Sequence, residues 1–388
     1  MTLFDIFSIA DWILFIVMSL TVLYLGIFSL ASLIKRHSDM PKAKHENRFI
    51  ILVPSYNSGK SLERTVKSIL GQSYPQRLFD VSVIAVKENE MTMFHLAQEP
   101  VTLLAPNFDK YSRTKSLQLA INNLPQFKIY DIVVLLEAGD LVDTEFLYQM
   151  NDAYEAAGTK AIQAHKLSLN RDTTAARLES VFEEINNSIF RRGHITLGLS
   201  AAMSSSGMCY DFTWFKQQME KAKISWEDKE LEALLARQFI YVDYFDDIFV
   251  YNEKARKADD FNRQHSSWIR SQAFTILRNI RFLPTALLNR HYNLVDKLLQ
   301  WLLIPRMVLM SVIIIMCIIT PIIYFTLALK WWALFAIILF IFALATPNYL
   351  VDDKWDSTFF KMPFVILHNL LKRFKWGRQL EEKINLKK

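Results

Sequence analysis

Cysteine is scarce: the 388-residue chain has two, Cys209 and Cys317. They lie in different kinds of segment, one polar and one long and apolar, so no disulfide framework is expected. No Cys or His spacing suits zinc, no nucleic-acid motif occurs, and there are no internal repeats or low-complexity runs. Charge is missing from three long stretches, Trp12–Ile34, Met307–Leu329 and Trp331–Leu350. These absences exclude a disulfide-stapled secreted domain, a zinc module and a purely soluble protein. The net charge of +6 collects beside the apolar runs and needs no nucleic-acid partner.

Apolar residues make up 52% of the chain. A bilayer core needs about 20 apolar residues as helix, and each uncharged stretch qualifies. The first stretch follows Asp5 and Asp11 and ends without a small-residue cleavage site, so it reads as an anchor and not a signal peptide. Lys35, Arg36, Lys42, Lys44 and Arg48 follow the first span. Lys372, Arg373, Lys375, Arg378, Lys383, Lys387 and Lys388 follow the third, and only Lys330 separates the second from the third. Positive residues stay inside, so the middle segment and tail are expected in the cytoplasm of a multi-pass inner-membrane protein, against anionic membrane lipid. Three spans without internal ionisable residues argue against a transporter.

The middle of the chain alternates. Strands are expected at 49–54, 80–86 and 131–136, and helices around 62–70, 114–124 and 144–157. Such alternation predicts an α/β fold with a mostly parallel sheet covered on both faces. Farther on, helices are expected over 176–190 and 226–237, with short strands at 239–244 and 248–251. The basic, apolar stretch 266–293 suits helices lying on a membrane surface, broken at Pro284. The expected organisation is an anchor (1–35), a cytoplasmic domain (48–265), interfacial helices (266–305), two spans (306–350) and a basic tail (351–388).

Within the strand-end IVVLLEAGDLV, apolar residues run directly into Glu137, Ala138, Gly139 and Asp140. Acids at the carboxyl end of a buried parallel strand stand where open α/β sheets bind ligands. Together with VPSYN (53–57), LGLSAAMSSSGM (197–208), WEDKE (226–230) and QHSSW (264–268), this segment resembles the membrane-bound processive glycosyltransferases of family 2, the group of cellulose and hyaluronan synthases. The resemblance spans roughly residues 48 to 305. It implies a nucleotide-sugar domain of the GT-A type, plus three transmembrane helices and interfacial helices.

The resemblance also implies roles. Pro54, Tyr56, Glu88, Lys115 and Glu137 would stand around the nucleotide, and Asp228 would be the general base. Glu227, Gln264 and Trp268 would contact the acceptor. Mg²⁺ or Mn²⁺ would sit on the diphosphate, held by Glu137 and, with a shift of the loop, Asp140. The chain departs from the pattern at several of these places. Glu88 is out of step with the family's acid after the second strand, which falls at Val86 or Lys87. Gly139 takes the place of the second metal acid, and Ser267 that of the arginine in the acceptor motif. A serine offers one neutral donor where an arginine offers a charged fork.

Two functions follow. One is an inverting glycosyltransferase that takes a UDP-sugar or other nucleotide sugar and extends a glycan or lipid-linked acceptor in polysaccharide assembly. The other is a pseudo-enzyme without a metal, acting as partner subunit of an active synthase. Three spans are few for a self-contained polymer channel, so a second subunit or a homodimer is expected in either case.

Overall fold

The structure, a computed structural model, describes residues 3–34, 40–109, 111–222, 228–253 and 272–350. Strands β1 (Phe49–Tyr56), β2 (Phe79–Val86), β3 (Thr102–Leu104), β4 (Ile132–Leu135), β5 (Asp140–Val142), β6 (Ala161–Ser168), β7 (Met208–Asp211) and β8 (Val242–Asn252) form one sheet. Its order is β3-β2-β1-β4-β7-β6-β8-β5. β1 pairs in parallel with β2 and β4, β2 with β3, and β6 with β8. The β4–β7, β6–β7 and β5–β8 pairings are antiparallel, so the parallel half expected from the alternation ends at β4.

The sheet is covered on both faces. In β1, Phe49, Ile51 and Val53 pack toward α2 (Lys60–Leu70) and α5 (Phe146–Ala157), through Leu62, Val66, Phe146 and Met150. Ile50 and Leu52 point the other way, toward α4 (Arg113–Asn122), α8 (Phe212–Lys221) and α9 (Asp228–Arg237). That is why this strand reads as a continuous apolar run and not an alternating one. Side-chain caps start several helices: Asn89 for α3 (Glu90–Ala97), Ser112 for α4 and Asp211 for α8. Each accepts from a backbone N–H of the first turn.

α6 (Thr174–Ile185) continues as a π-helical turn over Asn186–Gly193 and ends in the short α7 (His194–Thr196). This unit packs against three helices long and apolar enough to cross a membrane: α1 (Leu3–Ser32), α13 (Arg306–Ile323) and α14 (Phe325–Ala345). Val181, Phe182, Ile185 and Ile189 meet Val22, Leu25, Leu309, Ile313 and Ile338 in one core. Between the sheet domain and α13 lie a helix over 272–279 (α10), α11 (Leu283–Leu288) and α12 (Tyr292–Leu302). Pro284 stands in the first turn of α11, where its missing N–H has no helical partner to lose.

Two expectations need correction. The second and third apolar helices meet at Tyr324 alone, so Lys330 is not between them but early in α14. Its Nζ lies 2.5 Å from Oδ2 of buried Asp11 and 3.6 Å from the Trp12 ring centroid. Asp11 and Lys330 therefore lie within the candidate spans, and their opposite charges offset one another. The two short strands expected at 239–251 are one strand, β8. The register of β6 on β8 shifts between Ala164 and His165, and that irregularity broke the sequence periodicity.

Candidate active site

β1 ends in Val53-Pro54-Ser55-Tyr56, beyond the last residue paired with β4, so Pro54 leaves no ladder bond unmade on that side. Tyr56 is 44% exposed, with the Tyr111 ring at 5.1 Å and the Lys87 ammonium 5.9 Å from its ring centroid. Glu88 faces inward to this loop. Its carboxylate accepts from Ser58 N–H at 2.8 and 2.9 Å, from Gly59 N–H at 2.8 Å and from the Ser55 hydroxyl. Glu88 thus shapes the β1–α2 loop. Lys115 lies one turn into α4 with its ammonium 5.3 Å from the Phe108 ring centroid.

The turn after β4 explains Gly139. Asp140 N–H donates to Glu137 C=O at 3.0 Å, and Gly139 has φ of +99°. A turn of this hand requires a positive φ at its third residue, which glycine supplies without strain. A Cβ at Gly139 would meet nothing within 4 Å, so backbone conformation and not space selects the glycine. The same turn carries Asp140 into β5 and into the interior, where it is fully buried. Its Oδ2 accepts from Glu137 N–H at 2.7 Å and from the Ser206 hydroxyl, and its Oδ1 accepts from Asn252 Nδ2 at 2.6 Å. Burial raises the Asp140 carboxyl above its ordinary range, and the charge of Lys166 opposes that rise.

Glu137 remains at the surface of the turn, between two cations. Arg113 Nη1 lies 3.7 Å from its Oε1 and Lys166 Nζ 3.8 Å from its Oε2. Arg113 also donates to the Ser205 carbonyl, tying the serine-rich loop before β7 to the start of α4. Burial alone would lower the Lys166 ammonium, but the carboxylates of Asp140, Glu137 and Glu183 outweigh it and raise the group. Arg113 and Lys166 went unnoticed in the sequence. Arg113 stands two residues from Lys115, and nothing local marks a lysine in β6 as a neighbour of residue 137.

From this turn a cleft of about 490 Å³ runs to the long apolar helices. Glu137, Lys166 and Ser205 line one end, and Leu25 of α1, Trp301 of α12 and Arg306 of α13 the other. Arg306 is held by Asn186 Oδ1 at 2.7 Å and the Phe182 carbonyl at 3.3 Å. α9, which Asp228 opens, is fastened to the same wall. One turn along it, Glu232 meets Lys297 Nζ at 3.1 Å, Lys229 Nζ at 3.1 Å, Trp301 Nε1 at 3.2 Å and Met203 N–H at 3.1 Å. Burial would raise the Glu232 carboxyl, but these partners bring it down to about 2. Glu227, Gln264 and Trp268 lie outside the described residues.

Residues 46–271 match the family described as Glycosyltransferase like family 2. The chain belongs to this family. Among solved structures, the mannosyltransferase PcManGT from Pyrobaculum calidifontis, in complex with GDP-Man and Mn²⁺, has a TM-score of 0.56 at 11% identity. That match covers 94% of this chain and 98% of the other. TarS 1–349 from S. aureus has a TM-score of 0.44 at 13% identity, over 86% of this chain and 91% of that one. The same fragment with UDP-GlcNAc has a TM-score of 0.42 at 14% identity, over 86% and 92%. No curated protein sequence matches the chain. The likeness to PcManGT is one of fold, the GT-A arrangement.

A divalent cation on a diphosphate requires hard oxygen donors from the turn after β4. Both oxygens of Asp140 point into the protein, and Glu137 is flanked by Arg113 and Lys166. Among the described residues no group of three or more His, Cys, Asp or Glu side chains is placed to hold a metal ion. The residues present at this turn do not fit a resident metal.

Proposed function

We propose that this family 2 glycosyltransferase-like chain is a membrane-anchored, inverting transferase of the processive-synthase type, with its domain in the cytoplasm. It would move a sugar from a UDP-sugar or other nucleotide sugar to a glycan or lipid-linked acceptor in polysaccharide assembly. The observation that carries this reading is the cleft joining Glu137 at the carboxyl end of β4 to Leu25, Trp301 and Arg306 beside the apolar helices. A donor bound over Tyr56 and Glu137 and an acceptor entering from the membrane side would meet there. Asp228 would take the proton of the acceptor hydroxyl. The resulting oxygen would attack the anomeric carbon as its bond to the diphosphate breaks, and the nucleoside diphosphate would leave with the electron pair.

A second reading has its own observation. With Asp140 turned inward and Glu137 between two cations, the metal machinery of an ordinary family member is incomplete. This favours a pseudo-enzyme that keeps the fold and works beside an active synthase.

The test is transfer of radiolabelled sugar from UDP- and GDP-sugars into lipid-extractable or polymeric product, in membranes carrying the full chain. Loss of transfer in Asp228→Asn is the expected result. Neither transfer nor sugar release with any donor, together with co-purification of an intact synthase, would replace the first reading by the second.

A further inference from the structure

The turn that departs most from the family pattern has a cation on either side of Glu137. Lys166 reaches it through the sheet. In register, Lys166 stands opposite Val250 of β8, and Asn252, two residues on, stands opposite Asp140 of β5. Three strands distant in sequence thereby bring a lysine that is 7% exposed to the acidic turn. Arg113 comes from the other side, at the first residue of α4. Its tie to the Ser205 carbonyl holds the guanidinium near the turn. The two contacts to Glu137, at 3.7 and 3.8 Å, are longer than hydrogen bonds. Glu137 and Lys166 line the cleft together with Ser205 and Asn252, and Arg113 reaches Glu137 from α4.

Three cations farther along the cleft have partners of their own. Lys229 pairs with Glu232 at 3.1 Å, Arg191 with Glu183 at 3.1 Å, and Arg306 with Asn186 and the Phe182 carbonyl. Arg113 and Lys166 both flank the carboxylate of Glu137 at the turn.

We propose that Arg113 and Lys166 take over the task of the divalent cation, so that this chain binds the diphosphate of a nucleoside diphosphate without metal. The proposal rests on the nucleotide-sugar reading above. Two monocations bring the same total charge as one divalent ion. An arginine fork and a lysine ammonium are both ordinary phosphate ligands. Glu137 is then a counter-ion that keeps the pair in place and competes with the diphosphate, where the family pattern would make it a metal ligand.

The two roles of Glu137 predict opposite results. The experiment measures binding of UDP and of GDP to the full chain in detergent micelles, in EDTA and again with Mn²⁺ or Mg²⁺. Expected is binding in EDTA that changes little with metal. Arg113→Gln and Lys166→Gln each weaken it by on the order of tenfold to a hundredfold, as for a lost charge-assisted hydrogen bond. Glu137→Gln keeps or tightens it. Because Lys166 is buried beside Asp140, its variant is checked by thermal unfolding; if it fails to fold, Arg113→Gln and Glu137→Gln decide. Binding that requires metal and is lost in Glu137→Gln overturns the proposal and leaves the nucleotide-sugar reading standing. Metal-free binding indifferent to Arg113→Gln also overturns it. No binding of either nucleotide under any condition overturns both.

Discussion

Gly193→Ala tests how the sheet domain is seated on α1. Gly193 closes the π-helical turn, and a Cβ built there would lie 2.2 Å from the Phe28 carbonyl oxygen of α1. Its φ of −60° is ordinary, so contact and not conformation excludes a side chain. Ordinary van der Waals contact begins near 3.4 Å, so the two backbones must part by about 1.2 Å (3.4 less 2.2). Neither is a flexible side chain that could swing aside. The shift would disturb the His194 ring stacked on Phe28 at 3.7 Å and the Tyr24 hydroxyl, 2.9 Å from His194 Nε2 and 2.7 Å from Asp296 Oδ1. Overpacking costs about 1–3 kcal/mol where side chains yield, and rigid backbone on both sides puts this case at or above the upper end. Two glycines grade the scale. A Cβ at Gly26 meets the mobile Ile341 Cδ1 at 3.2 Å, and one at Gly71 meets the Lys67 carbonyl at 3.4 Å. Thermal unfolding of the full chain in micelles, followed by tryptophan fluorescence, should rank the alanine variants Gly193 far below Gly26, and Gly26 at or just below Gly71. Hydrogen exchange should rise in the second half of α1 for Gly193→Ala alone. Equal midpoints for Gly193→Ala and Gly26→Ala would refute the close seating of α1 on the π-helical turn.

Two further perturbations probe buried charge. His165 is 5% exposed, with Nε2 3.0 Å from Glu184 Oε1 and Nδ1 3.0 Å from Asp246 Oδ1. Burial would lower the imidazolium, but hydrogen bonds to these two carboxylates raise it to about 9. The folded value lies above the unfolded one, so this stability is fully present below about pH 6.5 and lost as pH rises through about 9. It amounts to about 3 kcal/mol, from a rise of roughly 2.5 in pKa at 1.36 kcal/mol for each. Unfolding measured from pH 6 to 9.5 should show this decline in the native chain and a flatter profile in His165→Gln; parallel profiles would remove His165 as the cause. Lys297→Met strips one partner from Glu232, each of the pair being 1% exposed. Breaking a buried pair costs about 3–5 kcal/mol, and Lys229 should hold the loss toward the low end. Protease sensitivity of the α9–α12 region should rise with it, and Glu232→Gln added to Lys297→Met should recover part of the stability. A single variant as stable as the native chain would mean that the pair does not fasten α12.

Much of this molecule is decided locally and is legible in the residues themselves. Apolar length alone specifies the three candidate spans, because a helix must satisfy its backbone internally wherever water is absent. Continuous apolar runs identify β1, β2 and β4, since both faces of those strands are covered. The order of VPSYN, EAGD, the serine-rich run and WEDKE identifies the family. Gly139 carries a local message too, a turn with positive φ, but that message is legible only once Asp140 is seen to donate back to Glu137. The rest depends on pairings between distant segments. β5, β6 and β7 are short or irregular and carry no strong period of their own. Their registers put Asp140 inside the protein and Lys166 beside Glu137. The close backbone seating of Gly193 on Phe28, the Asp11–Lys330 pair and the Glu232–Lys297 pair likewise join residues far apart in the chain. Local sequence sets which segments become strand or helix; which charges end up facing one another is set by how those segments stack.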